Sequence, residues 1–302
     1  MAPMTATAKM TLPKLMEAFD TDAECRKILE ELRWPEGVKC LRCESQSISR
    51  IKTRKQFDCN ACRYRFSVTT GTIFNDSHLA LPKWFMAVLL MCEAKKGISA
   101  NQMKRTIGCA HKTAWYLCHR IREAMSTPEP TRLGGHVEVD ETYVGGKLRK
   151  GGSRDWRANK AMVLGALQRD GRIIVRKGRT QAHGEIRRFV WDSVSPSAVR
   201  LLTDESAAYK GFADDDTSHE AVAHGKGEYV RGDVHTNGIE GAFGLFKRAI
   251  VGSYHQLSHK HLDRYLDEFE FKYNNRKNAY LFRETLTRLV NGKVLTYDKL
   301  TA

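Results

Sequence analysis

The chain has 302 residues, and 50 Lys and Arg against 35 Asp and Glu leave a formal charge of +15. That excess points to a polyanionic partner, while 41% hydrophobic residues exclude a disordered basic tail. The longest apolar run, Trp84 to Cys92, is about half of the roughly 18 residues a membrane span needs, so no membrane partner is expected. Met1 to Lys14 lacks the pattern of a secretory leader, so a cytoplasmic, reducing setting is expected. The eight cysteines then read as metal ligands or small buried groups.

In chain order, residues 15 to 32 read as one amphipathic helix whose apolar side is Leu15, Met16, Phe19, Ile28, Leu29 and Leu32. Residues 34 to 70 are rich in Cys, Arg and aromatics and fit a small strand-and-turn module. Within it, Cys40-x2-Cys43 and Cys59-x2-Cys62 are two thiolate pairs at the spacing of one tetrahedral site. Four thiolates leave no open position, so the expected ion is one structural Zn2+. Between Arg33 and Phe66, nine basic and three acidic residues leave +6. The strip holding Arg50, Lys52, Arg54 and Lys55 is expected to lie along phosphates, the bland alternative being a solvated charged hairpin.

Helices are expected over about 82 to 96, 99 to 107 and 111 to 125, punctuated by Gly97 and Gly108, with Ser99 as a cap. The order is that of a helix-turn-helix, in which the last helix enters the major groove. Ala114, Leu117, Cys118, Ile121 and Met125 would face its core. His111, Lys112, His119, Arg120 and Arg122 would be left more exposed, and His111, Lys112 and Arg120 are the candidate DNA contacts. Plain helical scaffolding is the alternative. Thr127 to Gly135 reads as a linker.

Beyond it the pattern alternates as strands do: His136 to Val144, Ala161 to Gln168 and Ile173 to Arg176, the last two joined by a hairpin turn at Asp170-Gly171. A helix over about 182 to 192 precedes strands at Val199 to Thr203 and Glu220 to His224. Helices from Thr236 to Ile250 and Ser258 to Asn274 follow. One mixed α/β sheet with flanking helices is the expected fold of this part. The expected divisions are an N-terminal helical segment (1–32), a zinc ribbon (33–76), a helix-turn-helix unit (77–126), the linker (127–135), the sheet domain (136–290) and a C-terminal tail (291–302).

Two carboxylates stand at strand ends, Asp140 in Val137-Glu138-Val139-Asp140-Glu141 and Asp204 in Leu201-Leu202-Thr203-Asp204. A carboxylate after apolar residues is costly unless hydrated, paired or metal-bound. A third acid, Glu240, opens the next helix. There Ile239, Phe243, Phe246 and Ile250 form an apolar stripe, while Asn237, Glu240, Gly244 and Lys247 share another face. Taken alone, Asn237-x-x-Glu240 also fits a capping box.

Together these residues resemble the zinc-ribbon DDE-type insertion-sequence transposases of bacteria, relatives of the Merlin-type elements. The resemblance covers nearly the whole chain. It rests on the four cysteines, on Val139-Asp140-Glu141-Thr142-Tyr143-Val144-Gly145-Gly146-Lys147, on Thr203-Asp204, on His235-Thr236-Asn237-Gly238-Ile239-Glu240, and on Tyr265-Leu266-Asp267-Glu268-Phe269 with Tyr273-Asn274. It implies a ribonuclease-H-like fold with Asp140, Asp204 and Glu240 as catalytic ligands of two Mg2+ (or Mn2+) ions. Lys247 matches the family's basic position and Asn237 is an accessory candidate. The implied reaction is DNA cleavage at terminal inverted repeats and 3'-OH strand transfer into target DNA, by a dimer or larger oligomer on double-stranded DNA, with nucleoid-associated localisation. The alternatives are a nuclease that only hydrolyses and a zinc-ribbon regulator with an inactive catalytic remnant.

Overall fold

The structure is a computed structural model that describes residues 9–127, 131–145, 160–179, 183–205, 209, 211–212, 218–222, 228 and 230–302. In chain order these form α1 (Leu12–Ala18), α2 (Asp22–Arg33), β1 (Ile48–Ile51), β2 (Gln56–Cys59), β3 (Arg65–Phe66), α3 (Leu81–Glu93), α4 (Ala100–Ile107), α5 (His111–Met125), β4 (Leu133–Gly145), β5 (Lys160–Gln168), β6 (Ile173–Gly178), α6 (His183–Ser193), β7 (Val194–Asp204), β8 (Ser218–Val222), α7 (Asn237–Ala249), α8 (Leu262–Asn274), α9 (Leu281–Asn291) and α10 (Tyr297–Thr301). They divide into two compact units, residues 1–125 with 277–302, and residues 126–276. Among the described residues no helix is long and apolar enough to cross a membrane.

In the first unit the expected single helix over 15 to 32 is two. The Thr21 hydroxyl accepts from the Glu24 amide at 3.3 Å and Glu24 accepts from the Thr21 amide at 3.2 Å. This capping box starts α2 afresh, and Met16 is left exposed. The three-stranded antiparallel ribbon, β1-β2-β3, is joined to α2 by aromatic packing. The Trp34 ring lies edge-on to Phe57 and Phe66 at centroid distances of 5.6 and 5.9 Å. Helices α3, α4 and α5 follow as expected, with Ser99 capping α4 and Gly108 ending it in the left-handed conformation.

The C-terminal residues correct the expected divisions. The sheet domain does not run to residue 290, and 291–302 is not a tail. Helix α9 buries Phe282, Leu286 and Leu289 against α2, α3 and α5, with Phe282 edge-on to Phe85 at 6.1 Å. Leu295 and Leu300 are buried as well. The first unit thus completes its core with residues from the far end of the chain.

The second unit is a five-stranded mixed sheet of order β6-β5-β4-β7-β8. Strand β4 pairs antiparallel with β5 and parallel with β7. It begins at Leu133, inside the expected linker, where a left-handed Gly135 accompanies a register irregularity; residues 128–130 lie outside the described residues, as does His224 of the expected last strand. Alternation divides the sheet's side chains between two cores. Val137, Val139, Leu164 and Leu201 pack with Ile186, Phe189 and Val190 of α6. Val163, Leu167 and Val175 pack with Ile239, Phe243 and Phe246 of α7 and Leu266 and Phe269 of α8. Helix α7 lies close because Gly165 of β5 has no side chain: a Cβ there would sit 2.6 Å from the Phe243 ring.

Edge strand β6 is closed by α8. The Ile173 amide donates to Asn274 Oδ1 at 2.7 Å and the Val175 amide to Glu270 Oε2 at 2.9 Å, so edge donors that would otherwise attract another strand are satisfied. In the same helix, burial pushes the Asp267 carboxyl up to about 6; Glu270 and Asp263 add to this, while Arg176 and a hydrogen bond with Ser126 oppose it. With its folded pKa above its unfolded one, Asp267 weakens the fold as pH rises through that value. Asp267→Asn should therefore stabilise the protein by about 1–2 kcal/mol at pH 8 and by almost nothing below pH 4, read from urea unfolding. A difference independent of pH would rule this out.

Candidate active site and zinc site

The four cysteines converge, with all their sulfurs within 4.8 Å of one another. Cys40 Sγ lies 3.6 Å from Cys62 Sγ, and Cys43 Sγ lies 3.6 Å from Cys59 Sγ. Two turns of one shape build the site: Glu44 and Arg63, each just after the second cysteine of its pair, are left-handed at φ 58° and 59°. Burial opposes ionisation of Cys40, yet the amides of Cys43 and Arg42 outweigh it and hold the thiol down to about 6. At Cys43 the Ser45 amide favours the thiolate, but burial and the sulfurs of Cys62, Cys59 and Cys40 push the thiol up to about 12. Four crowded sulfurs cannot all ionise without a cation. A tetrahedral all-sulfur set with no open position is a structural zinc site.

The acidic site is built by register. Parallel pairing sets Glu138 of β4 opposite Leu202 of β7; two residues further on, Asp140 lies within β4, which continues to Gly145, and not at a strand end as expected, while Asp204 is the last residue of β7 on the same sheet face. That face meets α7, whose first turn carries Glu240. Burial is the main cause that pushes the Asp140 carboxyl up to about 7; the charges of Glu141, Asp204 and Glu240 raise it further, and the Glu141 amide, 2.8 Å from Oδ1, works against them. Asp204 and Glu240 are therefore each within electrostatic reach of Asp140. Carboxylates gathered in this way, raising one another's pKa, are suited to a cation.

The helix is capped differently from the capping-box alternative. Thr236 is the N-cap residue and Asn237 the first helical one, and the buried Thr236 hydroxyl donates to Glu240 Oε1 at 2.8 Å. Asn237, Glu240 and Lys247 are exposed on a common face, as the spacing predicts. Glu141 turns to the other side of β4 and accepts a 2.6 Å hydrogen bond from Tyr209, a fully buried phenol held protonated by burial and by Glu141.

The candidate DNA contacts fare unequally. Lys52 and Arg54 are exposed at the ribbon's tip. Arg50 is held by Glu30 at 2.6 Å and lies over the Phe57 ring, and Lys55 is 3.7 Å from Asp22. His111 and Lys112 are exposed at the start of α5, with Lys112 Nζ 4.3 Å from the Tyr297 ring centre. Arg120 is corrected: it is 3% exposed, donates to the Asn75 carbonyl at 2.6 Å and lies between Trp84 and Tyr116. Burial lowers its pKa. His119 and Arg122 are likewise buried rather than exposed. Arg120 is covered by the Asn75 carbonyl and the Trp84 ring, partners remote in the chain that helical periodicity cannot show.

Sequence reasoning also passed over Glu138 and Arg169, which pair at 3.0 Å beside the start of α7. The signal for Glu138 was its position on the same strand face as Asp140.

Comparison with known proteins identifies both parts of the chain. Residues 132–274 match the ISXO2-like transposase domain, and residues 20–65 match the transposase zinc-ribbon domain. The chain is 30% identical over 279 residues to a protein described as an uncharacterized protein in transposable element ISH50 of Halobacterium salinarum, an alignment spanning 85% of this chain and 92% of the relative. The chain belongs to the zinc-ribbon family of insertion-sequence transposases.

Proposed function

We propose that this transposase binds the terminal inverted repeats of its element, cleaves DNA there and joins the released 3'-OH end to target DNA, acting on a ribonuclease-H-like sheet. The observation that carries the reading is the gathering of Asp204, at the end of β7, and Glu240, in the first turn of α7, around Asp140 within β4. These carboxylates would hold two Mg2+ or Mn2+ ions, which supply electrostatic stabilisation to an in-line displacement at phosphorus. Lys247, on the same face as Glu240, neutralises a backbone phosphate near the scissile bond. The Asn237 amide orients a neighbouring ligand or water. Lys52 and Arg54 of the ribbon and His111 and Lys112 of α5 hold the duplex by its phosphates, so affinity falls steeply with salt. Two ends are joined in one event, and at least two subunits bring them together.

The test uses the full zinc-loaded chain with duplexes that end in the element's repeat, already cut to a 3'-OH, and a supercoiled target with Mg2+. The expected result is covalently joined product. Nicking without joining would favour a hydrolytic nuclease, and binding without either would favour a regulator with a silent catalytic domain.

A further inference from the structure

We propose that Glu138 is a positioning residue whose buried carboxylate ties the acid-bearing middle of β4 to the first turn of α7, setting the span between Asp140 and Glu240. The inference rests on the reading that those two acids hold divalent ions. Glu138 is 1% exposed and stands two residues before Asp140 on the same strand face. Its Oε2 accepts the Ile239 amide at 2.9 Å, and Ile239 is the residue next to Glu240. Its Oε1 accepts from Arg169 Nε at 3.0 Å. Arg169 in turn donates through Nη2 to the His235 carbonyl at 3.1 Å and meets the His235 ring at Nδ1, 3.3 Å away. One carboxylate thus governs both ends of the segment 235–239 that leads into the helix.

The contact is direct because residue 238 is glycine: a Cβ at Gly238 would lie 2.7 Å from Glu138 Oε2 and 2.8 Å from Leu167 Cδ2. Stability alone does not call for this arrangement. A buried ion pair brings little net stabilisation compared with apolar residues of the same volume, and β4 and α7 already share an apolar core. What the carboxylate adds is direction. Helix N-terminal amides lack intrahelical partners, and taking the Ile239 amide with one oxygen while the other is anchored by Arg169 fixes how far, and at what rotation, Glu240 stands from β4. Groups behind a metal's ligands typically change its affinity by about 10–100-fold when removed.

The test is a calorimetric Mn2+ titration of the zinc-loaded full chain, with thermal unfolding measured in the absence of Mn2+ and strand transfer measured across Mn2+ concentrations. Glu138→Gln keeps an acceptor for Ile239 but loses the anchor to Arg169. It should weaken Mn2+ binding on the order of 10-fold or more and raise the half-saturating Mn2+ for strand transfer by a similar factor. Arg169→Lys keeps the charge but cannot bridge Glu138 and His235 together, and should shift both quantities in the same direction by a smaller factor. If Glu138→Gln does not fold, Arg169→Lys carries the test. A folded variant that binds Mn2+ like the parent, losing only thermal stability, would overturn the proposal. A parent chain that binds no Mn2+, or an Asp140→Asn chain that binds it as well as the parent, would instead overturn the ion-holding reading beneath it.

Discussion

Asp140→Asn is expected to abolish cleavage and strand transfer, a loss on the order of 10³-fold or more, while leaving affinity for the terminal repeats unchanged. An ion clamp on the reacting oxygens is worth several kcal/mol, and each 1.4 kcal/mol is about tenfold in rate. Asparagine keeps the size of the side chain and removes its charge at the position in β4 on which Asp204 and Glu240 also act, so the substitution separates chemistry from folding. It also relieves the repulsion and burial that raise the Asp140 carboxyl, and the variant should be no less stable than the parent without divalent ions. Asp204→Asn and Glu240→Gln should behave alike, and Lys247→Ala should cost less because the proposed role of Lys247 is to neutralise a phosphate and not to hold the ions. Repeat binding by gel shift and joining of pre-cut ends measure the two properties separately. Strand transfer by Asp140→Asn at the parent rate would sink the assignment.

Removal of zinc, by chelation or by Cys43→Ser, is expected to unfold the ribbon and release the element ends. The ribbon has three short strands and a core of little more than Trp34, Phe57 and Phe66, too small to fold unaided. Metal binding contributes on the order of 10 kcal/mol to such units. Residues 126–276 form their own compact unit, so the sheet should keep its unfolding transition while the first unit's is lost. Zinc content, unfolding monitored by circular dichroism and repeat binding at fixed salt test this together. A zinc-free chain that holds the repeats with parental affinity would show that the cysteine cluster is not what shapes the DNA-binding unit.

Much of this was legible in the linear chain because the signals are local. The C-x2-C pairs specify their own turns, as the matching left-handed Glu44 and Arg63 show. The alternation in β4 and β5 and the apolar stripe of α7 marked the elements and the face on which Asn237, Glu240 and Lys247 stand. A single composition-like number was less informative: the charge of +15 indicated the class of partner but not where it binds. Arg50 and Lys55 already have acidic partners, and Arg120 is buried.

What the sequence by itself determined is therefore the chemistry on offer: four thiolates for zinc, three acids on the strands and helix of one sheet domain, and a basic chain to meet DNA. The tertiary structure decided which of those groups meet. Asp140 and Asp204, 64 positions apart, become neighbours only through the parallel register of β4 and β7. Glu138 gains a role only when the start of α7 is laid on it. Residues 277–302 belong with the first 125 because α9 carries an apolar face that α2, α3 and α5 are shaped to bury. Periodicity tells which side of an element seeks cover, but the covering surface is supplied by residues remote in the chain, and burial or exposure of a charge follows from that partner alone.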